Sequence, residues 1–436
     1  MVKPLSSIEI AVLGLISGKT MGGSELQAIY QVTNNVVWPS RRSGLWEVAA
    51  RLADLKYLVD RGDRHPQRWS ITDHGIEALS NAVSTANPKP AVRFPIFVIC
   101  AYLEYARDWD TVEEVLRAHK AAWENVLVTE REVLDNIVTA RSPLVRARLD
   151  RSPHSGRASQ LVKKLALQGQ VGIASNMIDW AAESLHRIAE LRVHGELPSR
   201  PAAPDGTLEA QMAKPAARLS PIQIAVLGLI GAQPMGMSGS DLKRHYRATS
   251  ARLWPSEDHG LYPVAARLSE HGYLHDRGDR HPARFCITGA GIKALSEAVS
   301  HARPEPAVRF PIFVACAYFE YARDWASVER VLLNHRAAWL DVLAGEEQVL
   351  DDIATGRSPL LLPPQNHDPE ALTARVDTLA KTLAIRGEIA IAKFMIGWVE
   401  QSLGAIAGLR DDMGELTRPP LPDQGDTPEE PVFQPS

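Results

Sequence analysis

Cysteine is scarce in this chain: three among 436 residues, Cys100, Cys286 and Cys316. So sparse and odd a set excludes a disulfide framework and points to a reducing compartment. No stretch reaches the roughly 18 uninterrupted apolar residues of a membrane span. The first residues, Met1 to Glu9, are polar and lack the apolar core of a signal peptide. A cytoplasmic protein with no membrane partner is therefore expected. Excess charge is missing too, since 48 Lys and Arg stand against 52 Asp and Glu, a net charge of -4. Bulk charge thus favours no polyanionic partner, and any such reading must rest on local clusters. Motifs that carry chemistry are also absent. There is no Cys-x-x-Cys or His-Glu-x-x-His despite 14 histidines, so no metal site is expected. The run GLISGKT from Gly14 lacks the glycine spacing of a phosphate loop, and no Gly-x-Ser-x-Gly frames a nucleophile. The expectation is a protein without cofactor or enzymatic activity.

What is present is apolar material, 45% of residues, enough for about two to four domains, and it is arranged as a repeat. LSSIEIAVLGLI from Leu5 returns as LSPIQIAVLGLI from Leu219, and YLVDRGDRHP from Tyr57 as YLHDRGDRHP from Tyr273. AVRFPIFVICAYLEYARDW from Ala91 returns from Ala307 with two differences. The offset grows from 214 through 216 to 218, which two small insertions near Met235 and Pro363 explain. A period this long indicates duplication of a whole protomer rather than a solenoid.

Within one unit, Ser6 or Ser7 caps a helix from Ile8 to about Ser17, Ser24 opens a second helix, and a third runs from about Arg42 to Leu55. Leu45, Val48, Leu52 and Leu55 of the third helix form one apolar stripe. Tyr57–Arg61 and Gln67–Ile71 read as a hairpin, and Thr72 caps a further helix. Three helices, a hairpin and a helix make the winged helix-turn-helix order, whose third helix fits a DNA major groove. Three longer helices follow, Phe94–Asp108, Asp110 to about Thr139 and about Gln160–Leu191. The expected fold is mainly α with small β-wings: two winged helix-turn-helix domains, 1–86 and 218–302, each followed by a long-helix dimerisation-type arm, 91–194 and 307–410. A Pro- and Ala-rich linker, 195–217, joins the units, and 411–436 reads as a disordered tail.

On these residues the chain resembles the PadR family of transcriptional regulators. The likeness rests on AVLGLI at Ala11, GSEL at Gly23, WPSRRSGLWEVAARLADLKYL from Trp38 and RGDRHPQRWSITDHGIEAL from Arg61. In the second unit it rests on WPSEDHGLYPVAARLSEHGYL from Trp254 and ARFCITGAGIKAL from Ala283. The resemblance implies a dimer that reads a roughly palindromic operator in double-stranded DNA, with repression released by small effectors. This chain departs from that pattern. It carries two units, so one chain supplies an intramolecular pseudo-dimer, with further homo-oligomerisation through the arms left open. Trp46 stands where Tyr is expected, and Arg41 and Arg42 are answered by Glu257 and Asp258.

The expected DNA-binding residues of the first unit are Ser40, Arg41, Arg42, Ser43, Trp46 and Arg51 on the third helix, with Arg61, Arg64, His65 and Arg68 in the wing. In the second unit cations move to the second helix, as Lys243, Arg244 and Arg247. His259, Tyr262 and Arg267 then lie on the third helix, and Arg277, Arg280, His281 and Arg284 in the wing. Wing cations are expected on phosphates, giving affinity without sequence information, although Asp60 and Asp63 also suit a solvated turn. Unequal heads imply an asymmetric operator. Trp109, Trp123, Trp180 and their counterparts Trp325, Trp339 and Trp398 suggest a pocket for a small aromatic effector or plain core packing. Cys100 and Cys316 suit redox sensing or, more commonly, buried structural thiols. A rival reading is an effector-binding or scaffold protein with degenerate DNA-binding heads.

Overall fold

The computed structural model describes residues 4–17, 20–33, 44–61, 67–87, 90, 94–142, 145–146, 149–150, 152–195, 219–233, 236–248, 260–276, 284–302, 306, 310–358, 361 and 372–414. It is mainly helical with small antiparallel sheets. In the first head, α1 (Ser7–Ile16), α2 (Gly23–Thr33) and α3 (Gly44–Asp54) precede α4 (Asp73–Ser84), with β1 (Met21–Gly22), β2 (Leu58–Asp60) and β3 (Arg68–Ile71) between them. A capping box starts α1, Glu9 accepting from the backbone and hydroxyl of Ser6 at 2.7 and 2.6 Å. The Thr72 hydroxyl caps α4 by accepting from the Gly75 N–H at 3.0 Å.

The expected hairpin is present as β2 and β3, with Leu58 opposite Ile71. A third strand, β1, pairs Met21 with Trp69 and makes the order β1-β3-β2. Two residues are too short to show an alternation in sequence, so β1 is an addition to the expected plan. The turn from α3 into β2 places Lys56 at φ 62°, and the corresponding turn of the second head places Gly272 at φ 75°. That left-handed region costs a residue with a Cβ roughly 1–2 kcal/mol and glycine little.

The second head repeats this plan with α8 (Pro221–Gly231), β4 (Met237–Ser238), α9 (Gly239–Ala248), α10 (Leu261–Glu270), β5 (Leu274–Asp276), β6 (Arg284–Ile287) and α11 (Gly289–Ser300). The first arm comprises α5 (Pro95–Cys100), α6 (Trp109–Val138) and α7 (Pro153–Arg192). The second comprises α12 (Pro311–Cys316), α13 (Trp325–Ala354) and α14 (Leu372–Met413).

Two arm boundaries differ from expectation. Phe94–Asp108 is not one helix: α5 stops at Cys100, and a short 3-10 turn, Leu103–Tyr105, follows. Tyr102, Leu103, Glu104 and Tyr105 are all buried, and a continuous helix would carry four successive residues around its whole circumference. Breaking the helix turns them all inward. The last arm helix starts at Pro153, not near Gln160, because Ser152 caps it and proline occupies its first turn.

Each head rests on the other unit's arm. The Tyr318 ring of the second arm fills the notch at Gly14 of α1, where an added Cβ would lie 2.3 Å from a ring carbon. Tyr102 of the first arm fills Gly228 of α8 with the same 2.3 Å approach. The tyrosine hydroxyls donate to the carbonyls of Ala11 and Ala225 at 3.3 and 3.2 Å. Backbone N–H groups of Arg107 and Arg323 donate to Ser300 and Ser84 at 3.0 and 2.9 Å, tying each arm to the opposite head. This crossing explains why α1 is buried from Glu9 to Ile16: a helix apolar on all sides needs cover on all sides.

The arms cross in the same reciprocal manner. The Trp180 indole N–H donates to the Leu383 carbonyl at 2.8 Å, and that of Trp398 to Leu165 at 2.9 Å. Phe313 lies in the notch of Gly169, and Phe97 in that of Gly387. Helix α14 includes a segment, Ala374–Asp412, that is long and apolar enough to cross a membrane by length and composition. Its apolar residues, among them Leu383, Ile385, Met395 and Val399, are instead buried in the core shared by both units.

Two lysines within that core are paired with carboxylates. Lys163 binds Glu320 at 2.6 Å, and Lys381 binds Glu104 at 3.1 Å and Asp377 at 3.2 Å. Cross-unit pairs so buried add little net stability but penalise any packing that separates them. Glu130 of α6 is fully buried beside Gln170 of α7, whose amide nitrogen, turned inward, donates to its oxygens at 3.2 and 3.0 Å. The amide favours the anion and burial opposes it. With one neutral donor against a carboxylate beyond the reach of water, burial prevails and pushes the carboxyl up to about 8.

A group raised in the folded state contributes stability below its unfolded value that is lost as pH climbs to its folded value. Glu130→Gln should therefore match the parent in urea unfolding near pH 4.5. It should then exceed it increasingly up to about pH 8, by a few kcal/mol at most (about 1.4 per unit). A constant difference across that window counts against a buried neutral acid. Lys56→Gly should raise the unfolding midpoint by about 0.5–1 kcal/mol of stability, the difference between the left-handed cost and glycine's extra chain entropy.

Candidate nucleic-acid interface

In each head one helix offers an outer face to solvent while its inner face is locked. Leu45, Val48, Ala49 and Leu52 of α3 are buried, as are Leu261, Val264, Ala265 and Leu268 of α10. On the outer face Trp46 is 43% exposed and Tyr262 62%. Trp46 lies edge-on to Trp69 of β3 at 4.4 Å between centroids and covers Gly23 at the start of α2. Tyr262 meets Phe285 of β6 at 6.0 Å. These aromatics join the exposed helix to the sheet beside it, so the two form one continuous surface.

Ser40, Arg41, Arg42 and Ser43 lie outside the described residues, as do Arg64, His65, His259, Arg277, Arg280 and His281. Several of the expected residues that are described are bonded to other groups of the head, although Arg68 and Arg244 remain exposed. The Arg68 guanidinium donates to the Thr20 carbonyl at 3.1 Å and pairs with Glu25 at 3.4 Å. Arg284 likewise donates to the Gly236 carbonyl at 3.0 Å and lies 3.6 Å from Asp241. Both arginines brace the central strand against the start of the second helix. Arg244 pairs with Asp241 at 2.6 Å. The Ser238 hydroxyl, then the Ser238 backbone interaction and both arginines, hold Asp241 below its ordinary carboxylate value against the opposing effect of burial. Glu25 and Asp241 as partners of these two arginines are not expected from the sequence. Their place two residues after Gly23 and Gly239 is visible in the chain, but the pairing depends on the short first strand of each sheet.

Further cations lie at the surface. Arg61 is exposed at the end of β2, its backbone N–H closing the hairpin on the Arg68 carbonyl at 2.8 Å. Arg244 and Arg247 are exposed on α9 and Lys243 is half-buried, while Leu242 and Tyr246 anchor that helix in the core. The two third helices differ in how their arginine is held. Arg51 pairs with Glu9 at 2.9 Å. Burial raises Glu9, but the Ser6 bonds and Arg51 outweigh it and hold the carboxyl below its ordinary value. The position of Glu9 is taken in the second head by neutral Gln223, which caps Ser220. Arg267 therefore meets no carboxylate from that position and is exposed.

The arm aromatics expected at an effector pocket are packed against one another. Phe97 meets Trp180 edge-on at 4.9 Å, Phe313 meets Trp398 at 4.9 Å, and Phe94 meets Phe310 across the units at 6.1 Å. Trp123 and Trp339 are fully buried and donate to His119 and His335 at 2.9 and 2.8 Å. A groove of about 430 Å³ lies elsewhere, between α11 and Arg107, lined by Ile292, Lys293, Glu297 and His301. At the matching place in the first head, the Arg323 guanidinium donates to Asn81 at 2.7 Å. Cys100 and Cys316 are buried, and burial pushes both thiols up, away from the reactive thiolate. Among the described residues, no three His, Cys, Asp or Glu side chains gather as a cation site. No protein-family model matches this chain, and no curated protein does.

Proposed function

We propose that this chain is a DNA-binding transcriptional regulator of the PadR type, a repressor, with two winged helix-turn-helix heads carried as a fused pseudo-dimer. The observation that carries the reading is the twofold-repeated surface. In each head a helix with a buried inner stripe presents an exposed aromatic and an arginine beside a three-stranded sheet. A helix held this way suits a major groove, and the hairpin beside it suits the phosphate rail. Crossed packing of each head on the opposite arm supports a fixed spacing between heads, which a two-part operator requires.

The heads are unequal, and the operator is read asymmetrically. The first head has Arg41 and Arg42 just ahead of Gly44 in the sequence, where the second has Glu257 and Asp258. The second brings cations on α9 and an Arg267 that Gln223 leaves without the Glu9-type partner. The rival reading, a scaffold with degenerate heads, draws on those two carboxylates and on the bonds that engage Arg68 and Arg284 within the head.

Two measurements separate these readings. In a mobility-shift assay on DNA from upstream of the chain's own coding sequence, Arg41→Glu with Arg42→Glu should abolish the specific complex. A footprint of the parent should protect two unequal half-sites. Equal protection of a perfect palindrome defeats asymmetric reading, and absence of any shift favours the scaffold. Arg267→Ala should weaken binding and lower the salt slope by about one. Arg51→Ala, whose guanidinium is already engaged with Glu9, should change the slope less and lower thermal stability instead.

A further inference from the structure

The two halves are related by a pseudo-twofold axis, yet at the centre of the arm crossing they differ. Helices α7 and α14 run antiparallel there, as the pairs Trp180–Leu383 and Trp398–Leu165 require. Near the crossing, the Phe394 ring of α14 occupies the space over Gly172 of α7. A Cβ at residue 172 would lie 2.0 Å from two ring carbons. Among the described residues this is the closest approach of a ring to a glycine notch in the arms, and it occurs on one side only. With the offset of 218 that applies here, the counterpart of Gly172 is Ala390, and the counterpart of Phe394 is Asn176. Asn176 is not a ring that fills a partner's notch: its amide donates to the Gly172 carbonyl of its own helix at 2.9 Å.

We infer that the arm surface of each half is specific for the other half and rejects a copy of itself. Pairing two second halves through the same crossing sets Phe394 against Ala390 on both sides. Alanine brings the very Cβ for which the ring leaves no space, so both contacts clash. Pairing two first halves sets Gly172 against Asn176 on both sides, leaving a gap where a ring now packs. The mixed pair alone sets its ring on a glycine and its alanine opposite the smaller asparagine. Symmetric contacts such as the Phe97 and Phe313 notches supply affinity to any pairing, and the asymmetric contact of Phe394 with Gly172 supplies the choice. The partner that fits each arm is therefore the complementary half, from the same chain or, if arms are exchanged, from a second copy.

Two experiments on the full chain test this, and neither depends on DNA binding. A protease site is placed in the 196–214 segment, the purified chain is cut, unfolded in urea, refolded and weighed by native mass spectrometry. Mixed dimers of one first and one second half should exceed the random 1:2:1 share by about tenfold or more in equilibrium terms. Same-half dimers near the random ratio overturn the inference. The second is a double-mutant cycle in the uncut chain. Gly172→Ala and Phe394→Asn should each lower the thermal midpoint by several degrees. The double variant copies the Ala390–Asn176 arrangement, and its loss should be clearly smaller than the two single losses added together. A double variant no better than that sum also overturns the inference.

Discussion

The structure depends on aromatic rings seated in glycine notches across the boundary between its halves. Tyr318 on Gly14, Tyr102 on Gly228, Phe313 on Gly169 and Phe97 on Gly387 each bring a ring to within van der Waals reach of another unit's backbone. A glycine is needed at each because a Cβ has no room, and an aromatic is needed because a smaller side chain leaves the notch empty. The contact buries apolar surface and fixes position together. The tyrosine hydroxyls add a bond to a helix carbonyl, and the indoles of Trp180 and Trp398 do the same at the arm crossing. Heads and arms consequently share one continuous core rather than four separate ones.

Symmetry within that core is approximate, and several departures fall where polar chemistry does. Lys163 has Glu320 and Ser159 as neighbours, whereas Lys381 has Glu104 and Asp377. Gln170 beside Glu130 is replaced by Glu388 in the half that contains Glu346, and all four are buried. On the outer surface Arg51 is engaged by Glu9, while Arg267 has neutral Gln223 at the matching place. After a duplication nothing obliges paired positions to remain alike once they sit in one chain, and each half can tune its charges against the other.

Much of this is readable from the chain. Repeated segments disclose the duplication, and Leu45, Val48 and Leu52 disclose the buried side of the third helix, whereas Leu55 of the same expected stripe falls past the helix end and is exposed. Both depend on local spacing. Features that depend on distant partners are not readable. Phe94–Asp108 reads as one helix until Tyr102, Glu104 and Tyr105 are seen to need partners in the other half. The strand Met21–Gly22 shows no pattern because its identity lies in Trp69 and Arg68, some 48 residues away. The bonding of Arg68 and Arg284 within the head follows from that strand and its counterpart, so cations that look free in sequence prove to be shared with the head itself. The arm tryptophans illustrate the reverse: their recurrence is plain, and only the packing shows that rings rather than a cavity fill the space between them.

Crossed seating has a consequence for synthesis. Helix α1 is made well before its cover, since Tyr318 and Tyr321 lie 307 and 304 residues from the atoms they touch. At roughly 5–20 residues per second, that apolar helix waits on the order of 15–60 s on the ribosome before its partner emerges. During that interval the nascent first head displays an oily flank that nothing in its own half can close, which makes it a natural client for a chaperone until translation delivers the lid.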